Sequence, residues 1–76
     1  MKKVIYATQE KRFGRLEWRL EVWEADSDRP RSIIPVWRKL SEPRWRLPAE
    51  CAGEWPKGLF LLATDNVLAL ADAMRS

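Results

Sequence analysis

Five tryptophans stand among fourteen lysines and arginines in a chain of 76 residues. Residues 29–46 hold six of the cations (Arg29, Arg31, Arg38, Lys39, Arg44, Arg46), one acid (Glu42) and two tryptophans, Trp37 and Trp45. Cations that follow phosphates and flat rings that stack on bases are the means by which a protein holds single-stranded nucleic acid. The same residue types have a plainer use, tryptophans in the core of a small domain and charges on its solvated faces. The net charge of +3 hides an asymmetry: residues 1–28 balance six cations with six acids, residues 29–46 sum to +5, and residues 47–76 sum to −2. A local block of one sign is a better electrostatic footprint than the whole-chain value.

Catalysis finds little support. There is no histidine, so the usual general base and the Ser-His-Asp and Cys-His arrangements are absent. Glu17 and Glu21 share a strand face, but Arg19 lies between them, which reads as a charge ladder and not as a carboxylate pair. The glycines Gly14, Gly53 and Gly58 are too scattered for a phosphate loop. The single cysteine, Cys51, can neither close an intramolecular disulfide nor join a histidine at zinc. We therefore expect no enzyme, no cofactor and no metal. A histidine-free ribonuclease of the small bacterial toxin kind, using Arg, Lys and Glu, is the surviving catalytic alternative.

A lone thiol fits a reducing compartment, the cytoplasm. No apolar run approaches a membrane span, and residues 1–6 lack the long apolar core of a signal peptide. The length implies one small domain. Its core has no staples, so a homodimer is the natural source of further buried area.

The fold class expected is α+β: a small antiparallel sheet of four or five strands followed by one C-terminal helix, in the order β-β-β-(β)-β-α over residues 1–76. Residues 3–8 read as a strand with Val4 and Tyr6 on one face and Ile5 on the other, and residues 10–14 as a polar turn. Leu16, Trp18, Leu20 and Val22 alternate with Glu17, Arg19, Glu21 and Trp23, the period of a half-buried strand. Residues 25–30 are turn chemistry. Residues 32–40 form a third strand, which Pro35 confines to an edge or a bulge. Residues 44–47 alternate briefly, residues 49–54 are loop-like, and residues 55–58 suit a type I turn. Residues 59–62 read as a short apolar strand. Thr64 or Asp65 then caps a helix whose apolar stripe is Val67, Leu70, Ala71 and Met74.

The strand alternation sorts the tryptophans. Trp18 falls with Leu16, Leu20 and Val22 in the core, and Trp45 with Leu47 in the core as well. Trp23 falls on the face of Arg19 and Trp37 on the face of Lys39, which makes these two the stacking candidates. Trp55 sits at a turn and covers the core. The expected nucleic-acid contacts are thus Arg19, Trp23, Arg31, Trp37, Arg38, Lys39, Arg44 and Arg46. Leu68 lies off the helical stripe beside Val67 and Ala71, and these three are the expected dimer interface.

Lys57-Gly58-Leu59-Phe60-Leu61, followed by a Thr/Asp cap and a terminal helix, resembles the Lys-Gly-Ile-x-Leu strand-to-helix signature of the positive-cofactor-four family. Leu16–Trp23 with its acidic turn, and Ser32-Ile33-Ile34-Pro35-Val36-Trp37, look like that family's preceding strands. Two departures stand out: Leu62 and Ala63 intervene before the cap, and residues 45–54 are long. The family comprises single-stranded-DNA-binding transcriptional coactivators with small bacterial and phage relatives. The resemblance implies a symmetric dimer, a strand-binding sheet surface, and a phosphate contact for Lys57. The alternative reading is a small phage or mobile-element protein that binds and inhibits a host protein complex.

Overall fold

The computed structural model describes residues 2–48 and 56–76. Cys51, Trp55 and the loop expected at residues 49–54 lie outside the described residues. Among the described residues, four antiparallel strands, β1 (Val4–Ala7), β2 (Lys11–Phe13), β3 (Leu16–Trp23) and β4 (Ser32–Lys39), precede two helices, α1 (Leu59–Asp65) and α2 (Val67–Arg75). The α+β class and the strand period of β3 are as expected. β3 is central, with β4 along one edge and β1 and β2 sharing the other.

β1 and β2 are one strand interrupted. Residues 11–13, expected as part of a turn, pair with Trp18, Glu17 and Leu16. At the interruption Thr8 replaces the missing ladder. Its N–H donates to the Leu20 carbonyl at 2.9 Å, and its Oγ1 accepts from the Leu20 N–H at 3.0 Å. A bulge between Val4 and Tyr6 puts Val4 opposite Trp23 and Tyr6 opposite Val22. The extra residue flips the facing, so Val4 and Tyr6 do not share a face, while Ile5 and Tyr6 both pack against the core. Only Gly14 and Arg15 remain as the β2–β3 turn. Gly14 has φ +65° and Arg15 does not have a positive φ, the pattern of a type II′ hairpin.

Pro35 sits on an edge, as its missing N–H requires. Leu20 spends its main-chain groups on Thr8, so the Leu20–Pro35 pair carries no ladder bonds and Pro35 faces outward. Two residues on, the outward groups of Trp37 exchange bonds with Arg46, at 3.0 and 2.7 Å. Extending that register would set Pro48 against Pro35, and neither has an N–H to give. The expected strand at residues 44–47 therefore reduces to a single bridge, Trp37–Arg46.

Leu59 to Leu62 is helical and not a strand. The apolar run fits either period in so short a window, but no residue from Leu59 to Ala63 is β-branched, and Leu and Ala favour a helix. Neither Thr64 nor Asp65 caps α2. Asn66 separates the helices, its Nδ2 donating to the Leu62 carbonyl while Thr64 Oγ1 donates to the Phe60 carbonyl, both at 2.8 Å. These side chains take up carbonyls at the break.

Both helices lie on the face of Trp18, Leu20 and Val22, burying Leu59, Leu62 and Leu70. The buried side of α2 is rotated from the expected stripe: Leu70 and Ala73 pack inward, while Val67 and Met74 are exposed. Gly58 is there for room. A Cβ on it would overlap the Phe13 ring.

Candidate nucleic-acid interface

The sheet has a second face, formed by Glu17, Arg19, Glu21 and Trp23 of β3 and by Ser32, Ile34, Val36 and Arg38 of β4. It is a polar network laid on a sheet. Glu21 is 1% exposed. Its Oε2 accepts from Arg19 Nε at 3.0 Å and Nη2 at 2.6 Å, and its Oε1 from the Trp23 indole N–H at 2.9 Å. A buried carboxylate is tolerated only with such partners. Beside it, Arg38 joins Glu17 at 3.0 Å and Glu10 at 3.2 Å.

Alternation groups Trp23 and Trp37 with the expected neighbours but both rings are buried, and it misplaces Trp45. Trp37 does share a face with Lys39, but it is the helix-covered one, because register pairs Trp37 with Trp18. Trp37 is 5% exposed, and its indole N–H donates to the Leu47 carbonyl at 2.9 Å. Trp23 does lie on the Arg19 face, yet it is 4% exposed, with Lys2 and Arg29 each 4.9 Å from the ring centroid. Neither ring is an open stacking platform. Trp45, expected in the core, lies instead on the outer face. The Arg19 and Arg38 guanidiniums sit over its ring at 4.3 and 4.5 Å, and the ring is half-buried. It is the one tryptophan among the described residues that is not buried.

The basic block is largely neutralised. Arg29 meets Asp26, Arg31 meets Glu24, Arg38 meets Glu17 and Glu10, and Arg46 meets Glu42. The acids of the balanced N-terminal segment fold back onto the block, which the linear sum of charges could not reveal. Arg31 is structural as well. Its Nη1 donates to the carbonyls of Ala73, Met74 and Ser76 at the end of α2, where a cation suits the helix terminus. Its partner Glu24 is held below the usual carboxylate range, first by the Ala25 N–H and then by Arg31. Arg44 is exposed. Lys57 is exposed on the other side of the molecule, lining a groove with Ile33, Pro35 and Phe60.

The sheet instead gathers unneutralised charge at its hairpin end. Arg12 stands opposite Glu17, Lys11 opposite Trp18, Lys39 opposite Leu16, and Arg15 is in the turn. All four are exposed and, among the described residues, none has an ion-pair partner. The nearby acids Glu10, Glu17 and Glu42 are already engaged by Arg38 and Arg46. Arg15, Leu16, Lys39, Leu40 and Ser41 line a cleft of about 550 Å³ there. Arg12, Glu17 and Arg38 form a row across the outer face, and Trp45 rests over its last member. Lys11, Arg12 and Arg15 were not among the sequence-derived contacts. Their signal is visible only once the neighbouring acids are assigned.

Among the described residues no cluster of His, Cys, Asp and Glu could hold a metal ion, and no helix is long and apolar enough to cross a membrane. The chain matches no protein-family model, no curated protein and no solved structure.

Proposed function

We propose that the protein is a non-catalytic binder of single-stranded nucleic acid with little sequence preference, holding the strand at the hairpin end of its sheet. Lys11, Arg12, Arg15 and Lys39 take successive phosphates. One base stacks on Trp45 on the outer face, and the strand passes around the hairpin end to the cleft, whose apolar lining of Leu16 and Leu40 receives another base. The observation that carries the reading is the half-buried Trp45, resting on Arg19 and Arg38 in one outer-face row with Arg12, while Lys11, Arg15 and Lys39 stand around the hairpin end with no ion-pair partner among the described residues. Arg19 and Arg38 serve as supports for the ring, and Trp23 and Trp37 as structure. The resemblance to the positive-cofactor-four family favours the same ligand, although its Lys57–Leu61 signature forms a turn and the start of a helix here.

A titration with a single-stranded oligonucleotide, read by tryptophan fluorescence at low salt, tests this. Trp45→Ala should weaken binding by about 1–3 kcal/mol, the worth of one stacked base, with the far-UV circular dichroism retained. No binding by the native chain, or full affinity in Trp45→Ala, would refute the reading.

A further inference from the structure

The helical layer leaves its outer side apolar. Phe60 and Leu68 are each 79% exposed, Leu61 59%, Val67 57%, and Ile33 on the adjoining strand 43%. Side chains of this kind expose far more surface than a solvated helix face needs, and a contiguous patch of them marks an interface. Beside Phe60 runs a groove of about 290 Å³ between α1 and β4, walled by Leu20, Ile33, Pro35, Leu59 and Ala63.

We infer that this layer is covered by a second copy of the same chain, in a two-fold dimer in which Phe60 of each copy enters the groove of the other. Two features favour this occupant. The patch holds both a projecting ring and a groove of a size to receive one, and an isologous interface requires a surface complementary to itself. At side-chain areas of about 150–250 Å² for the largest residues, the five side chains offer roughly 500–600 Å² per copy. Two copies would then bury about 1,000 Å² or slightly more, the lower bound of a specific interface. Leu68, expected at a dimer interface from its place off the helical stripe, and Val67 beside it fall within this surface. Ala71 is half-buried at its margin. The sheet face with Trp45 stays open in such a dimer, because the helices occupy the opposite face.

The test is light scattering on the purified chain at tens of micromolar, with four variants. The native chain should run at twice the chain mass. Phe60→Asp and Leu68→Asp should each run as monomers with unchanged circular dichroism, since both side chains are exposed. In a Cys51→Ser background, Phe60→Cys mixed with Ile33→Cys should form a disulfide-linked pair under mild oxidation, as ring-in-groove packing requires. A monomeric native chain, or a dimer indifferent to Phe60→Asp, would overturn the inference. So would a native chain that stays monomeric and shifts in mass only when a different protein is added. Oligonucleotide binding by the Phe60→Asp monomer would separate the fate of this interface from that of the strand-binding reading.

Discussion

Replacing Glu21 by Gln would test whether the outer sheet face is a self-contained network. The carboxylate accepts three hydrogen bonds, two from Arg19 and one from the Trp23 indole, at 1% exposure. Glutamine keeps the shape but offers one acceptor oxygen. Its amide nitrogen must face either a guanidinium or an indole N–H, so a donor meets a donor. Bonds to charged groups contribute about 1.5–3 kcal/mol each, and a buried group left unsatisfied costs about 1–3 kcal/mol. Arg19 is 23% exposed and recovers part of its loss from water, so the net cost should be about 2–4 kcal/mol. That is a large part of the roughly 4–11 kcal/mol typical of a chain this size. Urea denaturation followed by circular dichroism should show a lower midpoint at an unchanged slope. Arg19→Met should be at least as damaging, because it strands the acid, while Arg19→Met with Glu21→Leu should recover much of the loss. A Glu21→Gln change below about 0.5 kcal/mol would refute the reasoning, since a surface substitution does no more.

Three further outcomes follow from the packing. Trp23→Ala should cost about 3–5 kcal/mol of stability, as a large buried truncation does, and a melting curve checks it; an unchanged melt would restore Trp23 as an exposed ring. Gly58→Ala should destabilise by about 1–3 kcal/mol through overpacking against Phe13, because Gly58 has an ordinary helical φ of −63° and no backbone strain to relieve; adding Phe13→Leu should recover part of the loss in urea titrations. Glu24 titrates lower in the folded chain than in the unfolded one, so its contribution is present above the usual glutamate range and lost as pH falls through the folded value. Glu24→Gln should accordingly be less stable than the native chain near neutrality, and the difference in urea midpoint should vanish in strong acid.

Much of the sheet was legible because period 2 is a strong signal where one face is buried. Leu16–Trp23 is a strand over the expected residues, and Pro35 marks an edge. Which face of β4 meets the helices was not legible, since alternation groups Trp37 with Lys39 but only pairing with Trp18 says that the group faces inward. A single bulged residue near Ile5 was likewise invisible and inverted the facing of β1. The helix at Leu59–Asp65 was hidden by the brevity of its apolar run, although the absence of β-branched residues from 59 to 63 carried the signal. At the candidate site, the residue types are those the sequence pointed to, but the exposed members differ. Trp45 took the place assigned to Trp23 and Trp37 because a lone bridge at Arg46 sets its side, and no strand pattern of four residues specifies that. Charge summed along the chain pointed to residues 29–46, whereas charge summed in space points to the hairpin end.

The salt dependence of oligonucleotide affinity tests that last distinction most directly. With Lys11, Arg12, Arg15 and Lys39 on phosphates, the log–log slope should be roughly −3 for a single strand. Lys11→Gln with Lys39→Gln should flatten it by about 1.4, while Arg29→Gln with Arg46→Gln, which removes two cations already paired with acids, should leave it in place. A slope near zero, or one that responds to the Arg29 and Arg46 pair and not to the Lys11 and Lys39 pair, would contradict the account.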